Sequence, residues 1–413
     1  MVSEPLVGYA CTPPPRGFER TKSICIQLSG GVVKRTIVLS GVNLADMGPL
    51  MVFKDAIASL AETYSGSYDI IALVHRKGLF DIPGVTFMEY PEIKSSWFKR
   101  LRFEYYECRR ISKEIEPYLW LSMHDMTPNV RATIRAVYCH NPCPFYPFRT
   151  QEALLDWKFG LFSLFYRFLY GINIKSNDFV VVQQDWMRSE FRSRYGVRNV
   201  VVAHPSVAHL PVPVAGDPQA HPGRPYRFFY PAYPRTFKNM EQILNATRKL
   251  ERDGFQQFEV WLTMDGTETP YAAKMAREFS DLSTVRWLGL LPRAEVMRLY
   301  GQADCLIFPS KLETWGVPIT EFKATGKPIL AADLPYAHET VGSYGSTAFF
   351  PIGDNASLAA MMQKAASGAE VFHSAHETPI DEPFACDWQE LWSILLSEGL
   401  QSPKGSGAVS ISA

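Results

Sequence analysis

The sequence predicts an α/β protein of two doubly wound domains, each with a parallel sheet, that face a central cleft. Three observations lead to this prediction. Short apolar segments that resemble buried strands alternate with amphipathic segments at helical spacing, the pattern of a parallel sheet covered on both faces. The alternation stops in a proline-rich stretch at 205–225 and then restarts. A length of 413 residues suits two domains with a core each.

The first half of the chain contains one set of alternating elements. Apolar runs of strand length occur at 36–41, 69–74, 85–88, 118–122, 136–139, 179–183 and 200–203. Helical periodicity predicts helices at 50–60, 97–116 and 185–195. Gly48 and Pro49 interrupt the chain just before the first of these helices, as expected of a loop at the end of a strand.

The second half repeats the pattern. Strands are predicted at 227–230, 258–263, 285–288, 305–308 and 328–331. Helices are predicted at 240–250, 271–279, 294–300, 318–325, 357–366 and 387–398. Two such halves place a ligand beyond the carboxyl ends of the strands, in the gap between the domains.

These patterns divide the chain into five segments. A flexible or partly ordered extension over 1–35 precedes an N-terminal domain over 36–210, and a C-terminal domain covers 222–385. A helix at 386–399 could pack back on the N-terminal domain, and a Ser/Gly-rich tail at 400–413 is expected to be disordered.

Composition excludes several classes of protein. Equal numbers of basic and acidic residues, 42 of each, argue against general binding to nucleic-acid backbones. Seven scattered cysteines, without a CxxC pair, indicate reduced thiols in a reducing compartment. The first 35 residues lack the apolar core of a signal peptide, and no long uncharged apolar run predicts a membrane span.

The motifs of other doubly wound proteins are missing from the sequence. It contains no GxxxxGK[ST] phosphate loop and no GxGxxG after the first strand, which disfavours nucleotide hydrolysis of that type and dinucleotide-dependent dehydrogenation. It also contains no GxSxG elbow and no HExxH metal motif.

The strongest chemical signal lies at 308–321. Glu313 is placed in a loop after a buried strand, and Glu321 in the first turns of the next helix. Gly316 lets backbone approach a ligand, and Pro318 suits the start of a helix. Free N–H groups there can receive phosphate, and carboxylates accept bonds from sugar hydroxyls. The alternative is a glutamate that complements the helix dipole beside a solvated one.

This segment resembles the E-x7-E motif of the retaining glycosyltransferases of family 4, which have the GT-B fold of two facing Rossmann-like domains. The resemblance covers most of 226–345 and includes Gly289, Ala303-Asp304, Phe308-Pro309-Ser310 and Gly326-Lys327-Pro328. It implies a retaining, metal-independent hexosyltransferase without a cofactor. Such an enzyme would use a GDP-, UDP- or dTDP-linked sugar and a glycan or lipid-linked acceptor. Its product would be a bacterial surface polysaccharide such as O-antigen, capsule or lipopolysaccharide.

The resemblance also implies roles for residues of the C-terminal domain. Glu321 would hold the ribose, and Glu313 would lie by the donor sugar as a catalytic residue. The remaining donor-binding residues would be Thr314, Trp315, Gly316 and Val317 at the sugar and diphosphate, and Leu290 and Leu291 at the nucleobase.

A basic turn follows the first strand of this domain. Family members place an Arg and a Lys there to hold the diphosphate, which here correspond to Arg235 and Lys238. Two cations can stabilise the charge of the leaving group. The spacing is tighter than in the family, and a solvated basic turn is the alternative.

The N-terminal domain supplies the expected acceptor side. His140 follows a strand where family members often carry a histidine, and it could bond the donor sugar or orient the acceptor. Further candidates on the acceptor side are Gly48, His124, Asp125, Asn141 and Gln184. A structural histidine and an ordinary amphipathic helix start are the alternatives for His124 and Gln184.

The reduced thiols predict a cytoplasmic protein, and the aromatic segment 153–172 is typical of an interfacial helix, which would give it peripheral contact with the inner membrane. A helix buried between domains, or one that lines an acceptor groove, has the same pattern. Two other functions remain open: a sugar-nucleotide epimerase of the same fold, and a non-catalytic nucleotide-sugar-binding subunit.

Overall fold

The computed structural model describes residues 34–45, 47–147, 156–205 and 223–397. Nearly all of the predicted N-terminal extension, most of the predicted linker and the predicted C-terminal tail lie outside the described residues. The elements below belong to one unit that begins at Arg35.

The first sheet has eight parallel strands in the order β14-β7-β6-β5-β4-β1-β2-β3. They are β1 Arg35–Gly41, β2 Tyr68–Val74, β3 Val85–Glu89, β4 Leu119–Ser122, β5 Ile134–Cys139, β6 Phe179–Val182, β7 Val200–Ala203 and β14 Phe384–Ala385. Its helices are α1 Met47–Tyr64, α2 Trp97–Arg102, α3 Cys108–Ile115, α4 Trp157–Gly171 and α5 Asp185–Tyr195. A π turn, Phe103–Glu107, joins α2 to α3 within the single helix predicted there.

The second sheet has six parallel strands in the order β10-β9-β8-β11-β12-β13. They are β8 Tyr226–Tyr230, β9 Phe258–Leu262, β10 Val285–Trp287, β11 Cys305–Phe308, β12 Ile329–Ala332 and β13 Thr347–Phe350. Its helices are α6 Met240–Arg252, α7 Pro270–Glu278, α8 Arg293–Gln302, α9 Val317–Lys323, α10 Pro335–Val341 and α11 Asn355–Ala366. The predicted α/β class with two parallel sheets is confirmed, whereas β13, β14 and α10 are not predicted from the sequence.

Both faces of the first sheet are buried, which explains the nearly unbroken apolar runs of its strands. In β1, Ile37 and Leu39 belong to one core, and Val38 belongs to another on the opposite face. In β6, Val181 belongs to the core of Ile37, and Val180 to a third. The second sheet is packed into a separate core.

The last helix, α12 Trp388–Ser397, returns to the first sheet. Its buried residues Trp388, Leu391 and Trp392 share the core of β1 and α1, and β14 pairs with β7 just before the helix. The first sheet is therefore built from both ends of the described chain, and the whole second sheet lies in sequence between β7 and β14. We call the first sheet with α1–α5 and α12 the N-terminal lobe, and the second sheet with α6–α11 the C-terminal lobe.

The segments that follow β6 and β7 in the N-terminal lobe contact the helix α10 of the C-terminal lobe. The Gln184 amide nitrogen donates to the carbonyl of Tyr336 at 3.0 Å, and the N–H of Asp185 donates to the Glu339 carboxylate at 3.0 Å. His204 Nε2 also lies 3.0 Å from Glu339 Oε1. These contacts fix α10 of the C-terminal lobe against the loops that follow β6 and β7.

Candidate active site

The loop between β11 and α9 requires glycine at its last position. Gly316 has φ +83°, a left-handed conformation that favours glycine. A Cβ there would make only ordinary contacts, 3.4 Å from Ile319 and 3.5 Å from the Phe308 ring, so the preference for glycine comes from the backbone angle. Pro318 follows in the first turn of α9. These two residues set the direction of the backbone between Glu313 and Glu321.

Glu313 is held by the basic turn. Its Oε1 lies 2.5 Å from Lys238 Nζ, and the two side chains are 14% and 19% exposed. Lys238 ends the 3₁₀ turn Thr236–Lys238, whose last carbonyl accepts a bond from the Tyr230 hydroxyl at 3.0 Å. The structure thus brings two predicted site residues, from the loops after β8 and β11, into one ion pair.

Backbone groups next to Glu313 have no acceptor within the described ranges of the chain. They are the N–H groups of Thr314, Trp315 and Gly316. The indole of Trp315 is buried, donates to Thr320 Oγ1 at 2.9 Å, and packs on the His204 ring at a centroid distance of 4.5 Å. The Trp315 side chain therefore faces the lobe contact, and only its backbone can serve a ligand. Val317 is exposed at the start of α9.

Glu321 is buried, with both carboxylate oxygens engaged. Tyr300 Oη donates to Oε2 at 2.9 Å, and the Arg293 guanidinium donates to Oε1. Burial and the adjacent Glu321 carboxylate raise the pKa of Tyr300 well above its usual value. Arg293, whose side chain is 54% exposed, is not predicted from the sequence. Arg293 is the first residue of α8, where the helix dipole disfavours a cation. That unfavourable position was the sequence signal that Arg293 has an acidic partner.

The predicted nucleobase platform is open on one side. Leu290 is 56% exposed, whereas Leu291 is partly buried against the core of the C-terminal lobe. Gly289 precedes them with φ +66°, and a Cβ there would lie 3.1 Å from an Asp265 carboxylate oxygen. Leu290 is thus available to an apolar ligand group.

Arg235 does not share a partner with Lys238. Its Nη1 donates to Asp156 Oδ2 at 2.8 Å, and Asp156 belongs to the N-terminal lobe. Without a ligand, the two cations predicted at one diphosphate therefore face different carboxylates, Asp156 and Glu313. Asp156 is absent from the predicted site because proximity between distant loops leaves no local pattern.

Asp125 organises the loop after β5. Its Oδ1 accepts bonds from the N–H groups of His140, at 2.8 Å, and Asn141, at 3.1 Å, and from Tyr170 Oη at 3.0 Å. His140 Nε2 lies 3.8 Å from Asp125 Oδ2, and the His140 side chain is 10% exposed. Asn141 Oδ1 accepts the N–H of Cys143 at 3.1 Å. Asp125 and Asn141 thus shape the loop that carries His140.

The structure corrects the predicted position of His124. Its side chain is fully buried, 3.2 Å from Ser40 Oγ and 3.3 Å from Glu104 Oε1, so it cannot contact an acceptor on the surface. Burial, together with nearby Arg100, lowers the pKa of His124 well below its usual value. Burial raises the pKa of Glu104 to about 7, although Arg100 opposes the shift.

Glu104 was not predicted because the segment reads as a charged amphipathic helix. The π turn inserts one residue into the helical repeat and directs Glu104 inward. Both of its carboxylate oxygens are without a hydrogen bond in the described part of the chain.

Gln184 also departs from its predicted role. The side chain is fully buried, and its amide bonds to Tyr336 and Thr340 across the lobe contact. It therefore joins the lobes and does not face an acceptor. Gly48, by contrast, is exposed in the first turn of α1, and nothing lies within 4 Å of a Cβ built there.

The helix α4 presents an apolar face to solvent. The exposed apolar side chains of α4 are Trp157, Leu161, Leu164, Phe165 and Phe168. Trp97 of α2 extends this face, with its ring 5.2 Å from that of Phe165. A groove of about 660 Å³ lies beside α4, and Arg167 and Arg194 contribute to its lining. None of the described helices is long and apolar enough to cross a membrane.

The described residues contain no group of three or more His, Cys, Asp or Glu side chains that could hold a metal ion. All five cysteines in the described ranges, Cys108, Cys139, Cys143, Cys305 and Cys386, are free thiols.

Residues 217–377 match the family model for glycosyl transferases group 1. The chain is also 26% identical over 112 residues to O-antigen chain mannosyltransferase B of Escherichia coli. That match covers 27% of this chain and 29% of the relative, so it spans less than a third of the curated protein's length.

Solved structures share the two-lobed architecture. The lipopolysaccharide outer core galactosyltransferase WaaB in its apo form superposes with a TM-score of 0.55 at 13% identity, over 81% of this chain and 90% of that chain. The HepE protein of Anabaena in complex with UDP and glucose gives a TM-score of 0.53 at 14% identity, over 80% and 92%.

The fold is therefore GT-B, and the resemblance to GT-B glycosyltransferases is confirmed. Within that class, residues 217–377, which include Lys238, Glu313 and Glu321, match the group 1 glycosyl transferases.

Proposed function

We propose that the protein transfers a hexose-type sugar from a nucleoside diphosphate donor to a glycan or lipid-linked acceptor during synthesis of lipopolysaccharide, O-antigen or another surface polysaccharide. The Lys238–Glu313 pair at 2.5 Å, inside the matched family segment, is the observation that carries the proposal. Similarity to an O-antigen mannosyltransferase supports the class of product.

The diphosphate would lie on the basic turn and the Glu313 loop. Lys238 would exchange Glu313 for phosphate oxygens, and the N–H groups of Thr314 to Gly316 would donate to the same group. Glu313, once released from the ammonium, would accept bonds from hydroxyls of the donor sugar. In this proposal, Lys238 would bind the diphosphate and Glu313 would bind the sugar of the same donor.

The nucleoside would occupy the adjacent position. The Glu321 carboxylate would accept hydrogen bonds from the ribose hydroxyls, while Tyr300 and Arg293 hold it in place. The exposed side chain of Leu290 would cover one face of the base. We propose no choice among guanine, uracil and thymine.

The acceptor would enter from the N-terminal lobe, near His140 and Gly48. With the donor bound, Glu313 would be engaged by hydroxyls of the donor sugar, and the matched motif offers no other side-chain nucleophile, so we propose front-face attack with retention. The bond from the anomeric carbon to the phosphate oxygen breaks, and a bond to the acceptor oxygen forms. The acceptor proton passes to the leaving phosphate. Lys238 would stabilise the negative charge that develops on the leaving diphosphate, and Arg235 would do so once it leaves Asp156. No divalent metal would then be needed.

We also propose that the exposed face of α4 rests on the cytoplasmic face of a membrane. Its aromatic side chains and Arg167 are the combination expected of an interfacial helix. Free thiols in the described ranges support a reducing compartment.

Incubation with a panel of nucleotide sugars tests the proposed chemistry. Transfer or slow hydrolysis of one donor, unaffected by a metal chelator, supports the proposal. An isomerised nucleotide sugar would indicate an epimerase, and binding without turnover a non-catalytic subunit. The anomeric configuration of the product, read by NMR, tests retention.

Flotation with anionic vesicles tests the membrane contact. We expect Leu161→Glu/Phe168→Glu to abolish flotation, because both side chains belong to the exposed face of α4. Met51→Glu, at an exposed apolar position on α1, serves as the matched control. Equal flotation of wild type and the α4 variant would overturn the contact.

A further inference from the structure

One ion pair joins the lobes next to the basic turn. Arg235 Nη1 of the C-terminal lobe lies 2.8 Å from Asp156 Oδ2 of the N-terminal lobe. The rings of Phe237 and Phe159 pack beside it at a centroid distance of 5.1 Å. The carbonyl of Phe237 in turn accepts the N–H of Lys311 at 2.7 Å. Contacts therefore run from the start of α4 through the basic turn to the loop that carries Glu313.

Asp156 has a second partner within its own lobe. Its Oδ1 accepts the N–H of Phe159 at 3.2 Å, which makes Asp156 the N-cap of α4. The positive end of the helix dipole adds to this stabilisation. If Arg235 left, the Asp156 carboxylate would still accept the N–H of Phe159. The ion pair can therefore open without leaving the carboxylate without a hydrogen bond.

The charges at the basic turn cancel in the ligand-free protein. Arg235 is paired with Asp156, and Lys238 with Glu313, so two cations face two anions. A diphosphate gains attraction only by taking a cation from a carboxylate. Arg235 is the more available of the two, because its side chain is 42% exposed against 19% for Lys238. Phosphate bound to Arg235 in its present position would also lie close to the Asp156 carboxylate and be repelled by it.

We propose that Asp156, a residue of the N-terminal lobe, determines donor affinity by holding Arg235 in a latch between the lobes. Donor diphosphate takes Arg235 from Asp156 and thereby weakens the attachment of the basic turn to α4, which then rests on the Phe159–Phe237 ring contact. This inference rests on the proposed function, because it requires a nucleoside diphosphate at the basic turn. By linkage, a second ligand that binds more tightly when α4 is separated from the turn would strengthen donor binding, and the donor would strengthen the binding of that ligand by the same factor.

Calorimetric titration with GDP, UDP and dTDP at fixed ionic strength tests the latch. Asp156→Asn keeps an N-cap side chain but loses the charge that competes for Arg235. We expect it to bind the preferred nucleotide about two- to fivefold more tightly than wild type, the range of a partly exposed ion pair. Asp354→Asn is the matched control, because Asp354 caps α11 through Ser357. It should leave the affinity unchanged.

A second background isolates the role of Arg235. Arg235→Gln should weaken nucleotide binding, and Asp156→Asn should then add no gain, since the latch has lost its cation. An unchanged or weaker affinity of Asp156→Asn, or an equal gain in the Arg235→Gln background, would overturn the latch. If wild type binds none of the three nucleotides, the proposed function itself fails, which separates the two outcomes.

Discussion

Acidic side chains behave differently in the two lobes. In the C-terminal lobe, Glu313 and Glu321 each face a cation, Lys238 and Arg293 respectively, and three of these four side chains reach solvent appreciably. In the N-terminal lobe, Glu104 is fully buried, and burial raises its pKa to about 7. The C-terminal lobe thus has ion pairs that solvent can reach at the edge of its sheet. The N-terminal lobe has a buried cluster of Glu104, His124 and Arg100.

This difference separates ligand chemistry from loop support. Lys238 and Arg293 keep contact with solvent, so each can turn from its carboxylate to an anionic ligand at a smaller cost in free energy than a fully buried cation. The Glu104 carboxyl group is fully buried and lies against His124 and Arg100, so it cannot bind a ligand without opening the fold, and it acts on stability. We therefore place the donor chemistry in the C-terminal lobe and give Glu104 and His124 a structural role.

The largest effect is expected at the basic turn. Lys238→Ala should lower transfer by about 100- to 1,000-fold, because the charge developing on the leaving diphosphate loses its nearest cation. Initial rates with the preferred nucleotide sugar measure the loss. Lys364→Ala, an exposed lysine on α11, is the control and should retain full activity. A tenfold loss or less in Lys238→Ala would place the diphosphate elsewhere.

The next effect concerns stability and is confined to the N-terminal lobe. The folded protein holds a proton on Glu104 up to about pH 7, whereas a free Glu releases it near 4.5. The stabilisation is therefore complete below pH 4.5 and is lost as pH rises through 7. Relative to Glu104→Gln, which does not titrate, wild type should lose up to about 3 kcal/mol of unfolding free energy across this range.

Urea unfolding of wild type and Glu104→Gln between pH 4.5 and 8 measures this loss. His124 and Arg100 face Glu104 in both proteins, so their contributions largely cancel in the difference. Glu107→Gln, in the same π turn but paired with Arg110 at the surface, is the control for loss of a carboxylate. A pH-independent difference for Glu104→Gln would show that Glu104 is ionised throughout.

The smallest effect is expected at His140. His140→Ala should lower transfer about tenfold, the cost of one hydrogen bond to a substrate or its positioning, with the fold intact because Asp125 bonds the backbone of residue 140. His376→Ala, an exposed histidine of the C-terminal lobe, is the control. Unchanged activity in His140→Ala would remove the N-terminal lobe's histidine from the reaction.

The sequence predicts which side chains come together better in the C-terminal lobe than in the N-terminal one, for a physical reason. Glu313, Gly316 and Glu321 lie in one short segment, where loop and helix geometry depend on neighbouring residues. The surroundings of His124 include Ser40, which is 84 residues away in the chain, and those of Gln184 include Tyr336 and Thr340 in the other lobe. The short helix α10 was missed because seven residues give too few turns for helical periodicity to show.

The sequence also did not predict which side chains pair with the site residues. Arg293 and Asp156 touch Glu321 and Arg235 only after the fold is formed. A cation at a helix start was a weak local sign of Arg293. Asp156 had none.

The most direct test compares nucleoside diphosphates with the matching monophosphates by calorimetry. If the diphosphate lies on Lys238 and the nucleoside on Glu321 and Leu290, wild type should prefer the diphosphate by about tenfold or more, and Lys238→Ala should lose most of that preference while still binding the monophosphate. Equal affinity of wild type for the two nucleotides, or an undiminished preference in Lys238→Ala, would contradict this assignment of the site.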